Sequence, residues 1–149
     1  MSSPEHADYL GFAAVFFSWF VAQMIKVVRG ILRYKRLNLR WIFDTGGMPS
    51  SHSSTTSSLA TVVGLHYGWN TVPFLIALVF CIITMLDAAG VRRSVGRQAR
   101  LLNRILDELK ENGNGDILES HVRELLGHTP LEVFAGAVLG VLMTLLICA

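Results

Sequence analysis

Two histidines, one carboxylate and a set of fixed cations are the residues of this chain whose types and spacing suit chemistry. His52 closes the run Thr45-Gly46-Gly47-Met48-Pro49-Ser50-Ser51-His52. The glycines and the proline force a tight backbone that can approach a ligand closely. A turn of this kind, opening into a helix, can hold an anion with backbone N–H groups and the helix dipole. His128 stands four residues before Glu132. On a helix that spacing lets the carboxylate accept one ring N–H and fix the imidazole tautomer. Lys26, Arg33, Arg92, Arg93 and Arg123 supply positive charge, and Asp87 either pairs with Arg92 or Arg93 or joins the site. Arginines grip phosphoryl oxygens through bidentate, charge-assisted hydrogen bonds. One histidine can then attack phosphorus in line while the other protonates the departing oxygen. The set matches what phosphoryl transfer from a monoester requires.

The elements that must position these residues are hydrophobic. The chain has 149 residues, enough for one domain. Charged residues make up only 16% and hydrophobic ones 52%, against about 25% charged in a soluble domain, and mean hydropathy is +0.47. Apolar segments lie at about 9–28, 71–91 and 131–149. A fourth at about 53–69 is weaker because its first half is rich in hydroxyls; it either spans, buried against the other three, or re-enters. Each is near the roughly 20 residues needed to cross a bilayer. The expected fold is therefore all-α: a single integral-membrane helical bundle over 1–149, with about four hydrophobic helices. A polar helical insertion is expected at about 94–126. Val95, Ala99, Leu102, Ile105, Leu106 and Leu109 recur in it at helical spacing. Asn112-Gly113 breaks it, and a short helix at about 117–126 ends at Gly127. Thr129 is the expected N-cap of the last helix, with Pro130 in its first turn. Trp41 and Phe43 read as interfacial anchors, as do Trp69 and Pro73 at the turn between the second and third segments. Cys81 and Cys148 lie in apolar runs and read as buried free thiols. With no basic stretch ahead of it, the first helix is expected to remain in the mature protein.

Charge sets the expected topology. All 13 Lys and Arg residues lie within 26–40 or 92–123. Four spans place both basic stretches on one side and both termini on the other, whereas three spans would split them. The positive-inside rule then makes the basic side, and the site with it, cytoplasmic.

Three stretches carry a resemblance to a known family. Lys26-x6-Arg33, Pro49-Ser50-Ser51-His52 and Arg123-x4-His128-x3-Glu132 follow one another in the order of the type 2 phosphatidic acid phosphatases. That family shares its fold with the vanadium haloperoxidases, and the chain is similar to its short divergent branch over about residues 23–140. Gly-Gly-Met-Pro-Ser-Ser-His, Asp-Ala-Ala-Gly-Val-Arg-Arg and Gly-His-Thr-Pro-Leu-Glu carry the match to that branch. The resemblance implies His128 as nucleophile, Glu132 as its orienter and His52 as general acid. It also implies phosphate contacts from Lys26, Arg33, Ser51, Arg92 or Arg93, and Arg123, with no metal and no cofactor. Gly46, Gly47, Pro49, Ser50 and Asp87 would support them. Against the parent pattern, Tyr34 replaces a proline, Ser51 a glycine and Glu132 an aspartate. Arg123 is one residue too near His128, which opens Arg92 or Arg93 as a source of the contact that the parent places just before the nucleophile. Parent lipid phosphatases generally face the site away from the cytoplasm, opposite to what charge implies here.

Three function classes follow. The first is a membrane phosphatase acting on a lipid phosphate or a prenyl (di)phosphate through a phosphohistidine. The second is a catalytically silent lipid-phosphate binder or transporter on the same scaffold. The third is a structural or assembly protein, which would have little use for the Gly-Gly-Met-Pro-Ser-Ser-His turn. Membrane lipid and a phosphorylated lipid are the expected partners. Nucleic acid is not, because net charge is only +2 and the basic residues border hydrophobic helices. Gly136, Ala137 and Gly140 suit close helix packing, within the chain or between copies in a homo-oligomer.

Overall fold

The hydroxyl-rich segment after the Gly-Gly-Met-Pro turn forms the middle of the molecule. In the computed structural model, which describes residues 4–35, 47–111 and 127–148, this segment is helix α2, Ser51–Tyr67. It packs against α1 (Pro4–Tyr34), α3 (Val72–Leu86) and α5 (Pro130–Cys148), and α1 also meets α5. A π-helical stretch, Asp87–Val91, joins α3 to α4 (Arg92–Glu111) without a break. The protein is a helical membrane bundle. Among the described residues, three stretches are long and apolar enough to cross a bilayer: Asp8–Arg33, Val72–Leu109 and Pro130–Cys148. Their outward faces carry large exposed apolar side chains such as Phe12, Ile76, Phe134 and Leu146, the surface a lipid solvent demands.

The helices begin and end where side chains permit. α1 starts ahead of the expected residue 9 and continues past 28, because Val27, Val28, Ile31 and Leu32 extend its apolar pattern between the basic residues. α2 starts at Ser51, since Ser50 caps it by accepting the Ser53 N–H at 3.4 Å. Gly68, at φ +94°, ends it in a backbone conformation that favours glycine. Thr71 caps α3, with Trp69 edge-on to Phe74 at 5.1 Å. The expected 71–91 segment is two pieces, because the helix widens at Asp87. Cys81 is buried and Cys148 half-buried, both as free thiols. Trp41, Phe43, Asn112, the 117–126 helix, Gly46 and Arg123 lie outside the described residues.

With 17 residues and few large apolar side chains, α2 is not among these three stretches, and it lies as the shielded centre of the bundle. Hydrocarbon offers no partner for a hydroxyl, so each must be satisfied internally. Some bond back along the helix: Thr55 to the Ser51 carbonyl at 2.7 Å, Thr61 to Ser57 at 2.8 Å. Others tie helices together. Ser18 of α1 and Ser54 meet oxygen to oxygen at 2.6 Å and each reaches the other's carbonyl. On the opposite side Ser57 donates to the Ala137 carbonyl at 3.0 Å, and Ser58 meets Thr144 at 2.7 Å.

Glycines on α5 make that second contact possible. A Cβ at Gly136 would collide with the Ser50 carbonyl and the Ser53 side chain; one at Gly140 would collide with the Ser54 carbonyl, Ser57 Oγ and the Ser58 nitrogen. The small residues of α5 are thus used within the chain, to bring two backbones together. Gly140→Leu is expected to destabilise the fold by about 3 kcal/mol, since most of what it meets is backbone or tightly bonded hydroxyl. Leu146→Ala, on the lipid face, should stay within about 0.5 kcal/mol of the parent. Thermal unfolding in detergent micelles compares the two, and equal stability of Gly140→Leu and the parent would contradict the close packing.

Candidate functional site

One end of the bundle collects the polar groups. Lys26 of α1 is buried, and its Nζ donates to Ser51 Oγ at 3.1 Å, across the start of α2. A buried ammonium is costly without partners, and in a membrane protein it marks function by default. Just before α2, Gly47 sits at φ +94°, where a side chain would be strained, and the Met48–Pro49 peptide is cis. The turn closes with the Ser50 N–H donating to the Glu132 carbonyl at 3.0 Å, so the α2 entrance is pinned to the first turn of α5. His52 follows, half-buried in the first turn of α2.

His128 is held from three sides. Its backbone N–H donates to the Ala88 carbonyl of the π-helical stretch at 3.2 Å. Before it, Gly127 lies so close to the backbone of Arg92 and Arg93 that a Cβ there would collide. After it, Thr129 and Glu132 form a capping box: the Thr129 N–H donates to Glu132 Oε2 at 2.9 Å, and the Glu132 N–H to Thr129 Oγ1 at 3.3 Å. The same Oε2 lies 3.3 Å from His128 Nδ1. Glu132 therefore caps α5 and orients the imidazole together. Nε2, the other ring nitrogen, is buried and has no hydrogen-bond partner among the described residues.

The charges around this nitrogen differ in sign. Lys26 and Arg92 both act on His128, and both, with Asp87, act on His52. Burial, with only 2% of His128 exposed, pushes its pKa below the ordinary 6.5, and Lys26 and Arg92 push the same way. The Glu132 hydrogen bond and charge oppose this without overcoming it. The ring is thus favoured neutral, with Nδ1–H toward Glu132 and a lone pair on Nε2. Arg92 Nε donates to Asp87 Oδ2 at 2.7 Å in an exposed ion pair.

Lys26, Ser50, Ser51, His52, Asp87, Arg92, His128 and Glu132 are thus brought to one place, with Gly47 and Pro49 in the turn beside them. Arg33 is exposed, two turns beyond Lys26 along α1. Arg93 is exposed and meets the site through its backbone under Gly127. Gly46 and Arg123 fall outside the described residues. The π-helical turn escaped sequence reading. Its signal is the small-residue run Asp-Ala-Ala-Gly placed just before two arginines, and such turns often occur at functional sites.

The chain belongs to a family of membrane proteins: residues 8–143 match the Divergent PAP2 family. Among its relatives is YuiD, an uncharacterized membrane protein of Bacillus subtilis (strain 168). It is 39% identical over 135 residues, which cover 85% of each chain. No solved structure matches the chain.

A group whose folded pKa is lowered binds its proton more readily in the unfolded chain. Stability linked to His128 is therefore full above about 6.5 and is lost as pH falls below that value. Side-chain NMR titration of His128 should give a midpoint below 6.5. Glu132→Gln keeps the capping box but removes the carboxylate, so the midpoint should fall further. A rise on that substitution would show that the 3.3 Å contact does not act on the ring.

Proposed function

We propose that the chain is a membrane phosphatase for phosphorylated lipids, working through a phosphohistidine at His128. The observation that carries the reading is the buried, unpartnered Nε2 of an imidazole whose Nδ1 is committed to Glu132, set beside Lys26, Ser51, His52 and Arg92. In the reaction the Nε2 lone pair attacks phosphorus in line. The bond from phosphorus to the lipid oxygen breaks, and that oxygen takes a proton from His52. Water, giving its proton back to His52, then displaces His128 from phosphorus and frees inorganic phosphate. Lys26, the Ser51 hydroxyl and Arg92 hold the equatorial oxygens, where charge spreads in the loose transition state. No metal is needed by this scheme, in line with the resemblance to the parent phosphatases. Membership of the divergent family and the helical bundle support the scaffold; the chemistry is our reading.

We place the site on the cytoplasmic side by charge. Lys26, Arg29, Arg33 and Lys35 lie at one end of α1, and the arginines of α4 follow α3 at the same end of the bundle.

A second reading, a lipid-phosphate binder that does not hydrolyse, is favoured by one observation: Arg92 is already engaged by Asp87 at 2.7 Å. Phosphate release from phosphatidate, lysophosphatidate and a prenyl diphosphate, by protein purified in detergent without added metal, separates the two. Under the first reading the parent protein turns over at least one of these. His52→Ala should lower the rate about 10²–10⁴-fold, and His128→Ala should abolish it together with an acid-labile, alkali-stable phosphoryl adduct. Tight binding without turnover, weakened by Lys26→Ala, would establish the binder instead.

A further inference from the structure

The chain leaves one apolar stripe of α4 uncovered. Val91, at the end of the π-helical stretch, and Val95, Leu102, Ile105 and Leu109 of α4 are between 41% and 62% exposed. With Gln98 they recur at steps of four and three, so all six fall within an arc of about 80°. Gly96, Ala99 and Asn103, about 120° away, are buried within the chain. Arg93, Arg97, Arg100 and Arg104, about 150° away on the other side, are exposed. α4 thus has one face packed within the chain, a solvated face of arginines, and a third that is apolar and open. The stripe has a counterpart on α3, where Val72, Ile76, Val79, Ile83 and Leu86 are exposed and again spaced by four and three. Across the π-helical stretch five residues make one turn, so Leu86 and Val91 share a face.

What covers the stripe is constrained by where it runs. The helix from Val72 to Leu109 has 38 residues, about 57 Å in length, against about 40–45 Å for a bilayer with its headgroups. Its backbone keeps helical angles at the junction: φ −65°, ψ −41° at Leu86; −59°, −49° at Asp87; −61°, −36° at Arg92. α4 therefore continues the course of α3 out of the membrane instead of folding onto its surface. Hydrocarbon covers the α3 half of the stripe but does not reach the α4 half, where exposed apolar side chains call for a protein partner. A soluble partner covers α4 but cannot follow α3 into the bilayer. A second copy, running parallel about a two-fold axis along the membrane normal, makes the same passage and matches both halves. The alternation of four and three is the spacing of a coiled-coil seam. Such an axis also brings Gln98 of the two copies together, where amide can bond amide and fix the register. The arginines point away from the seam, so like charges do not oppose it.

We propose that the chain forms a parallel dimer in the membrane, with α3 and α4 of two copies packed along this stripe. The close-packing glycines of α5, Gly136 and Gly140, meet α2 within each copy and do not supply the seam. Neither histidine takes part, so the dimer stands apart from the phosphatase reading.

The test is disulfide cross-linking of the full chain in lipid-rich liposomes with a membrane-permeable oxidant, after Cys81→Ala and Cys148→Ala remove the native thiols. Across a parallel seam equivalent residues come within about 6 Å, near the separation a disulfide needs. Ile83→Cys, Leu102→Cys and Leu109→Cys should each yield cross-linked dimers, about tenfold more than Arg97→Cys or Arg104→Cys on the arginine face. The double substitution Leu102→Asp and Ile105→Asp, at positions exposed in a single copy, should turn the dimer into a monomer by light scattering in mild detergent, with helix content by circular dichroism unchanged. Equal cross-linking on the two faces of α4, or a parent protein that is monomeric in both detergent and bilayer, would overturn the inference. So would a spin label at Leu102→Cys that oxygen relaxes as it does a lipid-facing site, since α4 would then lie on the membrane. Cross-links at Leu102→Cys without any at Ile83→Cys would confine the contact to α4 and overturn the continuous seam.

Discussion

The distance between the two histidines is set by how closely α2 approaches α5. His52 lies in the first turn of one helix and His128 immediately before the other, so both move with their helices. Gly136 and Gly140 have no Cβ, and Ser50, Ser53, Ser54 and Ser57 fill the space a Cβ would need. In hydrocarbon this packing is driven by van der Waals contact and hydrogen bonds rather than by burial from water. The hydroxyls of α2 can exist there only because their partners lie within the bundle. The Ser50 N–H to Glu132 carbonyl bond then fixes the two helix entrances in register. Any side chain larger than hydrogen at either glycine would push the two helices, and His52 and His128 with them, apart.

Glu132 shows how one carboxylate can cap a helix and orient an imidazole at once. A helix start leaves backbone N–H groups unpaired, and a glutamate at the third position commonly reaches back to satisfy one. Here the same oxygen also faces His128 Nδ1. The capping bond holds the carboxylate in place, so the imidazole meets a fixed acceptor and its tautomer follows. An aspartate, with one methylene fewer, would have a shorter reach for both tasks. This gives a physical reason for glutamate at a position where the parent pattern has aspartate: the helix begins after His128, at Pro130, and the carboxylate must reach backward.

Much of this was legible in the sequence, and the illegible parts share a cause. The apolar runs, the cap at Thr129 and the four-residue spacing from His128 to Glu132 depend on local pattern, and local pattern can be read. So can the clustering of basic residues at one end. The depth of α2 was ambiguous, because seven hydroxyl-bearing residues among Ser51–Ser58 look polar until their partners on α1 and α5 are known. The choice between Arg92 and Arg93 was open for a similar reason. It depends on the π-helical turn, which rotates the chain by a fraction of a helical step and sends Arg92 toward the histidines and Asp87. That turn in turn exists where Ala88 offers its carbonyl to His128, a contact between residues forty positions apart in number.

The buried lysine completes the argument about what the site was built to hold. Lys26 is 7% exposed and donates to the Ser51 hydroxyl, a neutral partner. Its charge and that of Arg92 both disfavour a proton on His128, and burial disfavours it further. Asp87 engages Arg92 and Glu132 faces the ring from the Nδ1 side, so the two cations are partly balanced by two carboxylates. Under the proposed phosphatase reading, a phosphate beside Nε2 would bring two negative charges and several acceptor oxygens to these cations. On that reading the burial of Lys26 is preorganisation: its positive charge would be in place before the anion arrives, and no reorganisation would be required when charge shifts during transfer.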